Sequence, residues 1–390
     1  MTNSTTGLPR MTWAEVCARR LERHGLAEPI KEARPAEVVG TMCGAHAQVM
    51  SAAELSIGLR IAGATREDVR GALWSERSLV KTCGPRGTVH LLPTQDLPMW
   101  TAALSTIPST RNVQGKNALL TAEQTEEVVA AIADALEDAE LTVDELTEAI
   151  VERTGSWAGE PAMPAFQEMW PRWRWAEGTA TNRGEMCFGP NRGRKVTYTS
   201  PRRWLPGFRP AEGHTAIADL LKRYLHAYGP AMPEHFARWL AAPPRWSKEL
   251  FASLAGDLQQ VEVEGSVAWV VAGDTATPST PPNGVRLLPY FDAYVVGCHP
   301  RDLLFPGMAA VRALTHGQAG NLPVLLIDGI VAGIWHQRRS GRKLEITVEP
   351  FERLTPTQRR ELDSQVERVG EFLEEMPRLT IGTVTVGAHA

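Results

Sequence analysis

Apolar residues recur at helical spacing in three successive stretches of this chain, and after each one the period shortens to the alternation of a strand pair around a glycine-bearing turn. The third stretch is the clearest. "HTAIADLLKRYLHAYGP" predicts a helix that stops at Gly229-Pro230, "MPEHFARWLAAP" a short second helix and "PRWSKELFASLAG" a third. "LQQVEVEGSVAWVVAG" then alternates on either side of Glu264-Gly265, as a short hairpin does. The second stretch predicts helices in "TAEQTEEVVAAIADALE", "TVDELTEAIVERTG" and "FQEMWPRWRWAE", with Thr142 and Glu145 as a capping box that starts the middle one. The first is less regular. "WAEVCARRLERHGL", "PAEVVGTMCGAHAQ", "SAAELSIGLRIAG" and "TREDVRGALWSERS" read as helical, and "LVKTCGP" and "RGTVHLLP" as the strands. Three helices and a two-stranded wing are the winged form of the helix-turn-helix, a DNA-holding device.

Beyond about residue 276 the texture changes. "TATPSTPPNG" reads as a linker, while "VRLLPYFDAYVVG", "LPVLLIDGIVAGIWHQRR" and "KLEITVEPF" read as strands. "TPTQRRELDSQVERVGEFLEEM" carries an apolar stripe and closes the chain as a helix. The predicted architecture is mainly α with β-hairpin wings: three tandem winged-helix modules at 1–118, 119–210 and 211–275, then a small β-rich C-terminal domain at 276–390. A length of 390 residues suits several compact units of this kind.

Composition excludes more than it assigns. With 43% hydrophobic and 22% charged residues, the chain has the make-up of an ordinary globular protein. It contains no apolar run of about 18 residues, and its first residues lack a signal-peptide core, so a cytoplasmic protein with no membrane partner is expected. Five scattered cysteines, without C-x-x-C spacing, read as buried thiols rather than as a disulfide framework or a zinc site. Phosphate-binding glycine loops, H-E-x-x-H and G-x-S-x-G are absent, so neither metal nor organic cofactor is expected.

The net charge of -4 hides an asymmetry. Residues 111–160 carry twelve acidic and three basic side chains, whereas residues 171–209 carry nine basic and two acidic. The basic stretch interleaves Trp173, Trp175, Tyr198 and Trp204 with its arginines, which suits phosphates and flat bases, and Arg192, Arg194 and Lys195 at its wing are candidate DNA contacts. The plainer reading is a solvated wing whose aromatics enter a core. The basic turn "HQRRSGRK" offers Arg338, Arg339 and Arg342 in the same two ways, as groove contacts or as a solvated tip.

Candidate chemistry lies in "GAHAQVMSAAEL". Ser51 with Glu54 has capping-box spacing and places a helix start at about residue 52, leaving 45–49 extended. Residues two apart on an extended segment share a side, so His46 and Gln48 would aim into one pocket; in a helix they would diverge by about 200°. An amide offers donor and acceptor together and a neutral imidazole can take a proton, so the pair could hold a water against an already activated bond. A purine alkylated at N7 is such a case, being positively charged and ready to leave C1′. The alternative is a buried His–Gln hydrogen bond that ties two helices.

"HAQVMSAAELSIGLR", "LVKTCGPRGTVHLLP", "YLHAYGPAMPEHFARWL", "LLPYFDAYVVG" and "DGIVAGIW", in this order, resemble the AlkZ-like winged-helix DNA glycosylase family of azinomycin-type genotoxin self-resistance. The resemblance implies winged-helix modules arranged as a C-shaped clamp, a C-terminal hairpin that probes DNA, and monofunctional hydrolysis of the N-glycosidic bond of N7-alkylguanine in duplex DNA, in some members at interstrand crosslinks. No obligate protein partner is implied. The family's catalytic Gln-x-Gln falls on His46 and Gln48; Gln48 carries over and His46 departs, which leaves water-holding intact and puts substrate choice in question. Arg86, Thr88 and His90 match a family segment near the site, with a wing strand satisfying its own backbone as the plainer reading. Asp292 matches a recurrent acidic position and is expected to make a structural hydrogen bond within the C-terminal domain, Trp335 is expected in the core, and His226 and His235 at packing or surface positions. A non-enzymatic winged-helix regulator or toxin-sequestering protein would use the same basic surface without His46 or Gln48, and a small-molecule enzyme is a weaker third reading.

Overall fold

The structure is a computed structural model that describes residues 7–108, 118–164, 168–340 and 343–387. Helices and short sheets alternate along it, and among the described residues the sheets are small: three of three strands, one of two and one of five.

The stretch with the cleanest periodicity folds as its pattern predicts. Helices Gly213–Tyr228, Pro233–Leu240 and Pro244–Ser253 precede the antiparallel hairpin Leu258–Val263/Ser266–Val271, whose turn places Glu264 and Gly265 at positive φ. The N-terminus supplies an unforeseen third strand, since Arg10–Met11 pairs in parallel with Glu262 and Val263. The helix that follows, Trp13–Arg23, starts at a Thr12–Glu15 capping box and packs into the same apolar cluster as Tyr224, Tyr228, Phe236 and Trp239.

The second stretch departs from its pattern at one place. Helices Ala122–Leu136 and Val143–Thr154 form, and the Thr142–Glu145 capping box is present. "FQEMWPRWRWAE" is not a helix: among its described residues, Met169–Pro171 pairs with Pro161–Pro164, Arg172–Ala176 is a 3₁₀ turn, and the α-helix begins only at Glu177. Pro171 lacks the amide a helix interior needs, so the apolar spacing around it builds a turn. The strands Cys187–Arg192 and Lys195–Thr199 follow, with Glu140–Thr142 as a third member. These elements enclose their own core of Val128, Ile132, Leu146, Ile150, Trp173 and Tyr198.

The C-terminal region is a five-stranded sheet in the order Val285–Leu288, Val324–Ile327, Ile330–Ser340, Lys343–Pro350, Met376–Ile381, closed by helix Pro356–Leu373. "VRLLPYFDAYVVG" divides: Val285–Leu288 is strand, but Asp292 caps a short helix, Ala293–Gly297, by accepting from the Tyr294 amide at 2.9 Å. One apolar cluster joins this sheet and its helix to Val38, Met42, Leu55, Ile57 and Leu91 of the first stretch. The approach is tight at Gly58, where any Cβ would stand 2.0 Å from the Phe372 ring.

Asp292 lies at the centre of this junction. It is fully buried and accepts two 2.8 Å bonds from the Arg60 guanidinium and one of 2.7 Å from Ser56 Oγ. The expected structural hydrogen bond within the C-terminal domain is the one from the Tyr294 amide; the bonds from Ser56 and Arg60 come in addition from the helix that follows the candidate catalytic segment and from the turn after it. Trp335 is buried and donates to the Leu288 carbonyl. His235 stacks on His299 at 4.8 Å, and His226 lies 3.7 Å from Asp274 at the surface. All five cysteines are free thiols, four of them buried.

Candidate active site

The segment carrying His46 and Gln48 is built from a glycine turn, a short strand and a helix start. Gly44 has φ +96°, a conformation side chains avoid, and a Cβ there would meet Leu92 at 2.8 Å. Ala45–His46 is extended, in antiparallel register with Leu91 and His90, and that strand pairs onward with Lys81 and Thr82. The ladder ends where the Ala47 amide donates to the Val89 carbonyl at 2.7 Å; the chain bends at Gln48 and helix Met50–Gly58 begins. The helix therefore starts before Ser51, with Val49 as its N-cap and no side-chain cap bond. Glu54, expected to reach back to Ser51, is buried and turns to Arg70 at 2.8 Å and Arg66 at 3.4 Å. Two arginines outweigh one backbone amide for a buried carboxylate.

Register decides which side chains meet. Directly paired residues point to the same face of a sheet and successive residues to opposite faces. His46, His90 and Thr82 thus share one face, and Ala45, Leu91 and Lys81 the other, joined there by Ala47, Val89 and Cys83. Ala47, Lys81, Cys83 and Val89 all line a cleft of about 760 Å³ between this sheet and the second stretch. Gln48, exposed at the bend, lines it too. His46 lines the other side: it is 8% exposed, and its ring sits 4.5 Å from Phe291 and 5.0 Å from His90. The pair expected to aim together is split because pairing ends between its members.

The electrostatics follow from burial. Desolvation, with the positive Arg86 nearby, brings the His46 imidazole down to about 4, so the ring is neutral at physiological pH, and its Nδ1 has no partner among the described residues. Burial likewise holds His90 well below the ordinary histidine value; its Nδ1 lies 2.8 Å from the Thr88 carbonyl and its ring packs on Gly84, where a Cβ would come within 2.8 Å. Thr88 Oγ1 donates to the Pro85 carbonyl. Arg86, at φ +63°, donates to the Trp239 carbonyl at 2.8 Å and lines the cleft. Arg86, Thr88 and His90 are thus gathered around the segment, but only Arg86 faces the cleft.

The basic wings differ among themselves. Arg192 and Lys195 turn back onto the helix start at Val143, Arg192 to Glu145 at 2.6 Å and Lys195 to Asp144 at 2.8 Å. Arg194 is exposed, with no ion pair among the described residues. Arg338 and Arg339 are exposed near the end of strand Ile330–Ser340, Arg339 paired with Glu375 at 3.0 Å, while Arg342 lies outside the described residues. Lys81, Arg174 and Trp170 also line the cleft, though no sequence motif singles them out; the Arg174 guanidinium lies 3.7 Å from the centre of the Trp170 ring. A lone lysine inside the strand "LVKTC" was the available signal for the first. Among the described residues, no cluster of three or more His, Cys, Asp or Glu is placed to hold a metal ion, and no helix is long and apolar enough to cross a membrane.

The profile of the DNA glycosylase AlkZ-like family matches residues 39–372. This chain belongs to the AlkZ-like DNA glycosylase family. A Streptomyces sahachiroi relative named interstrand DNA cross-link repair glycosylase is 33% identical over 361 residues, covering 88% of this chain and 91% of its own length. The solved structure of Streptomyces sahachiroi DNA glycosylase AlkZ superimposes with a TM-score of 0.80 at 29% identity, over 96% of this chain and all of that one. Mixed helices and hairpins are thus the family's fold, and the matched span contains the whole cleft. Within an AlkZ-like glycosylase the exposed amide of Gln48, at a backbone bend facing a basic, aromatic-walled cleft, is a group that can meet both water and a nucleotide.

Proposed function

We propose that this AlkZ-like protein is a monofunctional glycosylase that hydrolyses the N-glycosidic bond of bulky N7-alkylguanine in double-stranded DNA, interstrand crosslinks included, and so protects a cell exposed to a bacterial genotoxin. In this reading the three helix-and-hairpin stretches, 1–118, 119–210 and 211–275, act as winged-helix modules of a clamp, and the hairpin of the 276–390 domain probes the duplex.

The observation that carries the reading is the position of Gln48. Its side chain can accept from a water and donate to a neighbouring oxygen, keeping the water in line with C1′. N7 alkylation has already placed positive charge on the purine, so the leaving group needs no strong acid and the chief demand is orientation. His46 serves from behind. As a neutral ring packed between His90 and Phe291, it fixes the strand whose end presents Gln48, which makes it a positioning residue and not the base. The breadth of the cleft suits an adduct that cannot swing freely into a purine-sized pocket. The name of the Streptomyces sahachiroi relative supports the crosslink, and family membership weighs against a purely DNA-binding role.

The test is base release from duplexes that carry N7-methylguanine, a bulky N7-guanine monoadduct or a crosslink. Gln48→Ala should lower single-turnover release by about 100-fold or more while duplex binding stays within about twofold, the pattern of a lost orienting group. Unimpaired release by Gln48→Ala would overturn the assignment, and the best duplex defines the substrate.

A further inference from the structure

The cleft that presents Gln48 has an unbalanced charge. Its lining includes Lys81, Arg86, Arg174 and Arg183 but, among the described residues, a single carboxylate, Glu177. Glu177 is engaged twice, accepting from Arg174 at 2.9 Å and from the Tyr198 hydroxyl at 3.1 Å, and Arg183 is engaged by Glu126 at 2.6 Å. That leaves Lys81 and Arg86. Lys81 projects from the strand Leu79–Cys83 with its ammonium 5.0 Å from the centre of the Phe188 ring and makes no ion pair or hydrogen bond among the described residues. Arg86 sits on the turn closing the same hairpin, and its bond there goes to a neutral carbonyl. Burial lowers the pKa of both cations below the ordinary value, and no carboxylate among the described residues pairs with either. Both are half-buried, and partly desolvated cations are ordinarily paired, so two without a counter-ion that line the same cleft mark the place of an anion the protein does not supply.

We infer that Lys81 and Arg86 form a phosphate site that takes one backbone phosphate of the damaged strand beside Gln48. This rests on the glycosylase reading and deepens it. Phosphate is the anion that duplex DNA brings to the cleft, and a guanidinium with an ammonium is a common way to hold it. The site also answers a chemical need. As the glycosidic bond breaks, positive charge develops on the deoxyribose, and no uncommitted carboxylate lines the cleft among the described residues; a phosphate drawn close by Lys81 and Arg86 supplies the negative charge instead.

The experiment pairs protein variants with duplexes neutralised one phosphate at a time. Each duplex carries one N7-alkylguanine and a single methylphosphonate at one of the positions flanking it. On the all-phosphate duplex Lys81→Gln should lower kcat/KM about tenfold and reduce the salt slope of binding by about one, as loss of one phosphate contact does. Lys81→Arg should retain most of the activity. One methylphosphonate position should abolish the difference between wild type and Lys81→Gln, and Arg86→Gln should map to that same position. An equal Lys81→Gln defect on every neutralised duplex, or no defect on any, overturns the proposal. Binding to a duplex with a tetrahydrofuran abasic analogue reads the same map without base release, so failure of the glycosylase reading and failure of the phosphate site give different results.

Discussion

Removal of the Asp292 carboxylate should be among the most damaging single changes available outside the cleft. Asp292 and Arg60 have no exposed side-chain surface, and two 2.8 Å bonds join them in the fork geometry that suits guanidinium to carboxylate. Asp292→Ala leaves the Arg60 charge buried without its counter-ion, a loss of about 3–5 kcal/mol, and also strips the acceptor from Ser56 Oγ and the Tyr294 amide. Arg60→Met should cost a similar amount from the opposite side. The double variant Arg60→Met/Asp292→Leu removes both charges together and should recover most of the loss, since a desolvated pair gains little over apolar packing of the same volume. Urea unfolding of the full chain and the three variants completes the cycle. A cost below about 1 kcal/mol for Asp292→Ala, or a double variant as unstable as the two singles summed, would refute the account.

The same pair has a pH signature. Burial alone would raise the Asp292 carboxyl, but Arg60, Ser56 and the Tyr294 amide outweigh it and hold it below the ordinary aspartate value. A carboxyl depressed in the folded state stabilises fully above its unfolded value, near 3.9, and loses that contribution as the pH falls through the lower folded one. Asp292 should therefore add to acid unfolding only below about pH 4, and the Asp292→Asn variant should lose that part of the pH dependence.

Two further outcomes follow from the site and the wing. His46, held neutral down to about 4 by burial, should impose no step on base release across neutral pH: the ratio of wild-type to His46→Gln rates should be flat from about pH 5.5 to about 8, and a tenfold change centred near 6.5 would mean that the imidazole titrates in solution contact. Its depressed value stabilises above about 6.5 and costs stability as the pH falls from there toward 4, so wild type should gain acid sensitivity over that window relative to His46→Gln. On the second-stretch wing, Arg194→Ala should reduce the salt slope of duplex binding by about one, whereas Arg192→Ala should change it less, because Arg192 is already shared with Glu145; equal effects would show that DNA displaces that ion pair.

How far the sequence carried the structure depends on whether local chemistry had a competitor. The helices and hairpin of 213–271 were legible because apolar period, capping and turn residues agree there, and the Thr142–Glu145 box held because Glu145, on an exposed helix start, accepts from the Thr142 amide and from Arg192 at once. Ser51 and Glu54 have the same spacing, yet Glu54 is claimed by Arg66 and Arg70, which come from the next helical segment and are invisible to a four-residue motif. The run around Asp292 failed as a strand for a similar reason. Its apolar residues are buried on all sides, which removes alternation as a guide, and the Asp292 cap and the Arg60 partner from 232 residues away determine the turn.

The candidate site shows the same limit in its smallest form. Extended backbone was the right expectation for Ala45 and His46, and the rule that residues two apart share a face holds for as long as the ladder does. The ladder ends at the Ala47 amide. One residue later the chain has bent, and Gln48 joins Ala47 and Lys81 at the cleft while His46 stays with His90 behind the sheet. A sequence gives no mark of where pairing stops when the partner strand lies some forty residues on. The bend also explains why the two positions can differ in chemistry: the residue behind the sheet answers to packing against Phe291 and His90, and the one at the bend answers to water and substrate. A histidine in the first place therefore changes the support of the site before it changes the reaction.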